Sequence, residues 1–187
     1  MIKAGNIEKG MYLLFKGEPY LVAEREFVNP GKGAAFARLK LKHVKSGQVL
    51  RETVKTNETV EEAHIEERKA QYMYSDGTAY HFMDNQTYDQ FEIPMAGLED
   101  RANYMKEGDS FDIVFWNNEP IDIKLPLKMI LVVTEAPEAI KGDTVSNVTK
   151  LVTCETGLKV KAPIFIKEGE KILINTETGE YVERVNN

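Results

Sequence analysis

"YMYSDGTAYHFM", residues 72–83, decides the fold class. Two short runs rich in tyrosine and phenylalanine flank Asp76-Gly77, a pair that tolerates positive φ and so favours a tight hairpin turn. Working outward from it, the same grammar recurs. "MYLLFKGEPYLVAEREFV" (11–28) reads as strand, "KGEP" turn, strand, and "DSFDIVFWNNEPIDIKLP" (109–126) as a hairpin turning at Asn117–Pro120. "KILINTETGEYVERV" (171–185) is a further hairpin turning near Gly179, and "AAFARLKLKHV" (34–44) is a strand with period-two alternation. Helical periodicity is nearly absent; the single helix expected is "MAGLEDRANYM" (95–105), with Leu98, Ala102 and Met105 on one face. Short runs of this kind, bounded by Gly, Pro, Asn and Asp, predict an all-β protein.

An internal repeat organises these hairpins. "MKEGDSFDIVF" (105–115) and "IKEGEKILINT" (166–176), 61 residues apart, share an apolar-Lys-Glu-Gly opening before a strand, and "IEKGMYLLF" (7–15) is a distant third version. Lys-Glu-Gly is also simply a good turn into a strand, which is the better reading of the version at 7–15. The spacing of the other two favours two copies of one small barrel. The expectation is three β-barrels, over 1–64, 65–128 and 129–187. Boundaries fall near the acidic, strand-poor "NETVEEAHIEE" (57–67) and near Leu127–Lys128. Domains this small commonly need neighbours to bury enough surface.

Composition narrows the function classes. The chain is 42% hydrophobic and 29% charged, ordinary for a soluble globular protein. Its longest apolar run, "MILVV" (129–133), is far short of the roughly 20 residues that span a bilayer. "MIKAGNIEKG" has no apolar signal region and Cys154 stands alone, so a cytosolic protein is expected. The net charge of −6 argues against broad non-specific nucleic-acid binding. It is unevenly spread: 1–64 carries +3, 65–128 carries −7 and 129–187 carries −2. A basic end on an acidic middle suits a protein that touches polyanion with selected surfaces.

Enzyme constellations do not form. His43, His64 and His81 share no metal-ligand spacing with one another or with Cys154, and Cys154 has no neighbouring base or cation cluster to activate it. No P-loop, dinucleotide fingerprint or nucleophile elbow is present. "NPGKGAAF" is not a phosphate loop, because a strand and not a helix N-terminus follows it. The expectation is no active site, no metal and no cofactor.

That loop, "NPGKGAAFAR" (29–38), is nevertheless the most unusual segment. Pro30 and Gly31 fit the central positions of a type II turn, with Gly31 supplying positive φ. Gly33 and Ala34 clear side chains from the far side, so Lys32 projects from a narrow finger. In the strand that leaves it, Ala35, Ala37, Leu39 and Leu41 face one way while Phe36, Arg38, Lys40 and Lys42 face the other. Three cations at spacing two, about 6–7 Å apart, make either a track for a phosphate backbone or a solvated strand face.

"NPGKGAAFARLKL", "EEAHIEERKAQYMYSDGTAYHFMD", "IKGDT" (140–144) and "VKAPIFIKEGEKILINTETGEYVERV" together resemble the bacterial elongation factor P family, in the same order and nearly end to end. The resemblance implies an SH3-like, KOW-type first barrel followed by two OB-fold barrels. It implies a protein that is not an enzyme and that binds the ribosome beside peptidyl-tRNA, between the peptidyl and exit sites, relieving stalling at consecutive prolines. It assigns Lys32, between Gly31 and Gly33, to a tip that reaches the CCA end of the tRNA. Many members carry a modification there, and the homologous eukaryotic and archaeal factor carries hypusine, so a lysine-modifying enzyme is a further implied partner. Gly142, Asp143 and Thr144 match a loop that approaches tRNA and messenger in the exit site; Tyr181 and Arg184 match the closing strand; a monomer is expected. Two departures stand out: "VSNVTKLVTCETG" (145–157) is poorer in glycine than usual, and Ala162 replaces the commoner valine. Two rival readings are a swinging-arm carrier with a modified hairpin-tip lysine and a generic OB-fold RNA-binding protein. The first leaves two further barrels unexplained, and the second sits badly with the acidic middle third.

Overall fold

The computed structural model describes residues 1–138 and 149–186. The strands among them form three antiparallel sheets that follow one another along the chain. The first comprises β1 (Ile2–Lys3), β2 (Tyr12–Phe15), β3 (Glu18–Val28), β4 (Phe36–His43), β5 (Val49–Lys55) and β6 (Thr59–Glu62), in the order β1-β6-β2-β3-β4-β5. Its edges are drawn together by a single 3-10 turn, Ala4–Asn6, where Ala4 N–H donates to Glu58 O (2.8 Å) and Gly5 N–H to Thr56 O (3.2 Å). Ile7, Leu13, Val22, Ala37, Leu39 and Leu41 fill the interior.

The second sheet comprises β7 (Ile65–Ser75), β8 (Ala79–Asp84), β9 (Gln90–Pro94), β10 (Ser110–Trp116) and β11 (Glu119–Lys124), ordered β11-β10-β7-β8-β9. The third comprises β12 (Lys128–Glu135), β13 (Thr149–Cys154), β14 (Lys159–Pro163), β15 (Lys171–Asn175) and β16 (Tyr181–Val185), ordered β14-β13-β12-β15-β16. In both, the first strand lies at the centre between the second and the fourth. The two repeat segments occupy equivalent places. Gly108 (φ 92°) donates to Tyr72 O in β7, and Gly169 (φ 83°) donates to Val133 O in β12, each at 2.8 Å. Gly10 (φ 91°) makes the same kind of turn against Val22 O at 2.9 Å. Only a residue free of Cβ takes this conformation at no steric cost, which is why the Lys-Glu-Gly signal recurs.

Four sequence expectations change in detail. Asn117 and Asn118 (φ 50° and 64°) make a two-residue turn, and Pro120 lies within β11 rather than in the turn. The strand expected at 34–44 is β4, starting only at Phe36. The helix α1 is one turn, Glu99–Ala102. Leu98 and Met105 are buried as expected, but the chain enters through Gly97 (φ 83°) and breaks at Asn103. The stretch 57–67 is not poor in strand: it holds β6 and the start of β7. β6 buries only Val60 and exposes Thr59, Glu61 and Glu62, so its charged outer face masked the strand.

The barrels are joined by packed contacts. Tyr12, Val44, Ala63, Val114 and Ile121 form a buried cluster between the first and second, with Trp116 packed at its margin. Inside it the Tyr12 hydroxyl donates to Asp122 Oδ2 at 2.9 Å, while Asp122 Oδ1 accepts from Ile123 N–H (2.8 Å) and lies 3.5 Å from Arg101 Nη2. Backbones touch at the same joint: a Cβ on Gly47 would stand 2.8 Å from Gly97 Cα. Tyr104 crosses from the second barrel into the third core, and Lys106 pairs with Glu155 at 2.9 Å. Lys9 of the first barrel pairs with Glu177 of the third.

Candidate functional site

β3 and β4 pair from Tyr20–His43 out to Val28–Phe36, and the chain between them, residues 29–35, forms the finger. Beyond Val22 the strand β3 overhangs the core, so Arg25 and Phe27, although on the core-facing side opposite Leu39 and Ala37, are exposed. Arg25 ties the overhang to the barrel by donating to Gly5 O at 2.8 Å, and its guanidinium lies 5.8 Å from the Phe27 ring centre. The returning arm is fixed at Ala35, whose carbonyl accepts from Thr56 N–H (3.0 Å) and Thr56 Oγ1 (3.1 Å).

Residues 31–34 are exposed, and among the described residues Lys32 makes no hydrogen bond or ion pair. The type II turn does not form. Among the loop glycines it is Gly33 (φ 111°) and not Gly31 that adopts positive φ. Seven residues span the gap, so the chain reverses gradually through bends 31–33 and needs its left-handed residue after the lysine. A Cβ on Gly31 would meet nothing within 4 Å, so that glycine relieves no contact inside the chain; it leaves room around Lys32.

β4 alternates as expected. Ala37, Leu39 and Leu41 are buried, and Phe36, Arg38, Lys40 and Lys42 lie on the outer face. The three cations do not stand free. Arg38 pairs with Glu26 at 3.2 Å and Lys40 with Glu24 at 2.6 Å, both across β3. The Lys40 ammonium, bonded to Glu24, holds that carboxyl below the usual range. Lys42 turns to Asp100 of the second barrel at 3.3 Å. Register brings two further cations onto this face that sequence reasoning missed. Arg51 lies opposite Lys40 and Lys55 opposite Phe36 on β5, and neither has an ion-pair partner among the described residues. Their signal was the alternation Arg51-Thr53-Lys55, legible only once β5 is known to flank β4.

The remaining predicted residues divide. Tyr181 packs half-buried against the third core, and Arg184 is held by Glu170 at 3.2 Å and lies over the Phe165 ring. Gly142, Asp143 and Thr144 lie outside the described residues. Cys154 is buried, which pushes its thiol up to about 11 and keeps it protonated near neutrality. Among the described residues no group of His, Cys, Asp and Glu could hold a metal ion, and no helix is long and apolar enough to cross a membrane.

Comparison with known proteins covers the chain in series. Residues 3–60 match the elongation factor P KOW-like domain, 65–123 the elongation factor P OB domain and 129–184 the elongation factor P C-terminal domain. Elongation factor P of Treponema denticola is 55% identical over 186 residues, and that of Treponema pallidum (strain Nichols) 57%, each alignment covering 100% of both chains. Among solved structures, eukaryotic translation initiation factor 5A from Methanococcus jannaschii superposes with a TM-score of 0.51 at 25% identity, covering 66% of this chain and 90% of that one. The three-barrel, KOW-then-OB architecture expected from the sequence agrees with these matches.

Proposed function

The chain belongs to the elongation factor P family, and we propose that it binds the ribosome beside peptidyl-tRNA, between the peptidyl and exit sites, and speeds peptide bond formation at consecutive prolines. Its relatives' shared name makes it a translation elongation factor, and membership implies the ribosome as partner. The observation that carries the finer reading is Lys32: an exposed cation with no partner among the described residues, on a glycine-flanked loop at the far end of a hairpin tied back to its barrel.

Proline's ring fixes φ and narrows the geometries open to a nascent chain, so several prolines in a row can hold the reacting groups out of line. A long cationic arm beside the tRNA's CCA end restores alignment without covalent chemistry of its own. Orientation of that kind is worth several kcal/mol. Lys32, extended by a modification that a dedicated enzyme installs, supplies the reach; Pro30, Gly31 and Gly33 keep the approach narrow. Arg38, Lys40 and Lys42, with Arg51 and Lys55, face RNA phosphates, the paired cations exchanging carboxylate for phosphate on binding. Gly142, Asp143 and Thr144 approach messenger and tRNA in the exit site. The factor acts as a monomer in the cytoplasm.

The test is a reconstituted translation system with factor from the native host. Lys32→Ala should slow a reporter with three consecutive prolines and leave a matched reporter unchanged. An alanine variant that rescues the proline reporter as well as the wild type would refute the mechanism.

A further inference from the structure

The second barrel holds a feature that the Lys32 finger does not use. Tyr88 is 70% exposed and sits at φ 62°, a left-handed conformation that side-chain-bearing residues adopt at a cost. The turn that holds it there is over-determined. Asp84 is buried, and its Oδ1 accepts from Gln86 N–H (2.7 Å) and Thr87 N–H (3.0 Å). Its carbonyl accepts from Tyr88 N–H (3.0 Å) and its own N–H donates to Asp89 O (2.9 Å). A strained backbone kept rigid to present an aromatic ring to solvent is a feature of binding sites, not of cores.

Beside this turn runs a groove of about 630 Å³. Phe91 and Phe115 lie along it, meeting edge to face at 5.2 Å between centroids, and Glu66, Glu67, Asp84 and Asp89 outnumber Arg68 and Lys69 in its lining, with Glu67 paired to Lys124 at 2.8 Å. The groove already holds one guanidinium of the chain's own. Arg68 lies 4.4 Å from the Phe115 ring centre, gripped at two points by Glu66 (2.9 and 2.8 Å) and by Asn118 Oδ1 (3.0 Å). An aromatic platform with a carboxylate fork is the geometry that recognises arginine. Asp89, at the base of the Tyr88 turn, is exposed and has no ion pair among the described residues. The surrounding third of the chain carries −7, which repels RNA and attracts a cationic partner.

We propose that Tyr88 and this groove form a docking site for a basic, arginine-bearing peptide segment of a protein partner. The ring anchors the segment, Asp89 takes an arginine beside it, and the further carboxylates set the approach by charge.

The test uses the full chain, labelled with ¹⁵N, and a fluorescent heptapeptide alternating arginine and glycine. Amide shifts should cluster at residues 84–91 and 66–68, and added salt should weaken binding. The double variant Tyr88→Asn, Asp89→Asn should lose affinity by about tenfold or more. Its thermal midpoint should not fall, because asparagine tolerates the left-handed conformation. A heptauridylate RNA should leave these amides unmoved. Scattered peptide shifts, or unchanged affinity in the double variant, would overturn the proposal; RNA shifting the same amides would make this a nucleic-acid surface instead. The inference does not depend on the translational role of Lys32, so failure of either leaves the other standing.

Discussion

Tyr12→Phe is the sharpest probe of how the first barrel is held on the second. It deletes one hydroxyl and leaves the ring in its cluster, so packing is nearly conserved. Asp122 Oδ2 then loses the Tyr12 donor at 2.9 Å, while Oδ1 keeps Ile123 N–H and the Arg101 guanidinium. Asp122 is only 3% exposed, so water cannot easily replace the lost bond. A hydrogen bond to a charged group of this kind is worth about 1.5–3 kcal/mol. The expected loss is therefore about 2 kcal/mol, or a midpoint lower by about 4–8 °C for a chain of this size.

The pH dependence gives the prediction its sign. Burial pushes the Asp122 carboxyl above its usual value, with Arg101 and Tyr12 pulling it back. Burial and the Asp122 charge push the Tyr12 phenol far upward, so it stays a donor across the accessible range. A carboxyl raised on folding contributes stability that is complete below its unfolded pKa, about 3.9, and is lost as pH rises through the folded value. Removing the hydroxyl raises the folded value further and enlarges that loss. The deficit of Tyr12→Phe should thus grow as pH rises through the folded value and shrink as pH falls towards about 4. Trp116, the chain's single tryptophan, packs on the joint cluster, so its fluorescence during urea unfolding reads the joint. A deficit below about 0.5 kcal/mol, the size of an ordinary surface change, or one independent of pH, would refute the reasoning.

Three further outcomes are expected. Gly47→Ala places a Cβ 2.8 Å from Gly97 Cα at φ 71°, so it should destabilise by about 2–4 kcal/mol, read as a Trp116 transition at lower urea. Lys32→Ala should change unfolding free energy by less than about 0.5 kcal/mol while abolishing the triproline effect, since its side chain is exposed and makes no hydrogen bond or ion pair among the described residues. Arg51→Gln with Lys55→Gln should flatten the salt dependence of ribosome binding by about 1.5 in log–log slope. Arg38→Gln with Lys40→Gln should flatten it less, because those cations must first leave Glu26 and Glu24; the reverse ranking would discard the unpaired cations as the principal contacts.

What the sequence made legible is what local chemistry determines. Asp76-Gly77 and Gly179 mark turns because their residues suit the backbone there, and β4 shows its buried face because alternation is a property of one strand. β6 was lost because one buried valine, between Thr59 and the exposed Glu61 and Glu62, carries too little pattern. The type II turn was misplaced because Pro-Gly fits a four-residue reversal that a seven-residue loop does not need. The charge balance of the outer face was invisible, since Lys40 meets Glu24 across a register set by a bulge between Val22 and Glu24. The Tyr12–Asp122 bond, spanning 110 positions, leaves no local trace at either end.

Those non-local contacts bear directly on the finger. An exposed tip whose lysine has no polar partner among the described residues has little means of fixing its own position, so its aim must come from whatever it is mounted on. β3 and β4 give it a paired stem, Arg25 fastens that stem to Gly5, and Tyr12 fastens β2 of the same sheet to Asp122 in the second barrel. Tyr104 then carries the second barrel into the third core, and the Lys9–Glu177 pair closes the path between first and third. The Arg25, Tyr12 and Tyr104 joints each use a buried or backbone partner, in which geometry is narrow, whereas Lys32 keeps its rotamers free. Freedom at the tip costs little when the base is rigid, because only one side chain must be ordered on binding, about 0.5–1.5 kcal/mol. Loosening a joint would instead spread the same tip over many positions and weaken action at prolines without touching the loop. Tyr12→Phe should therefore depress the triproline reporter in part, with Lys32 intact, and a wild-type rate in a variant whose joint is measurably weakened would separate the finger's action from the barrels that carry it.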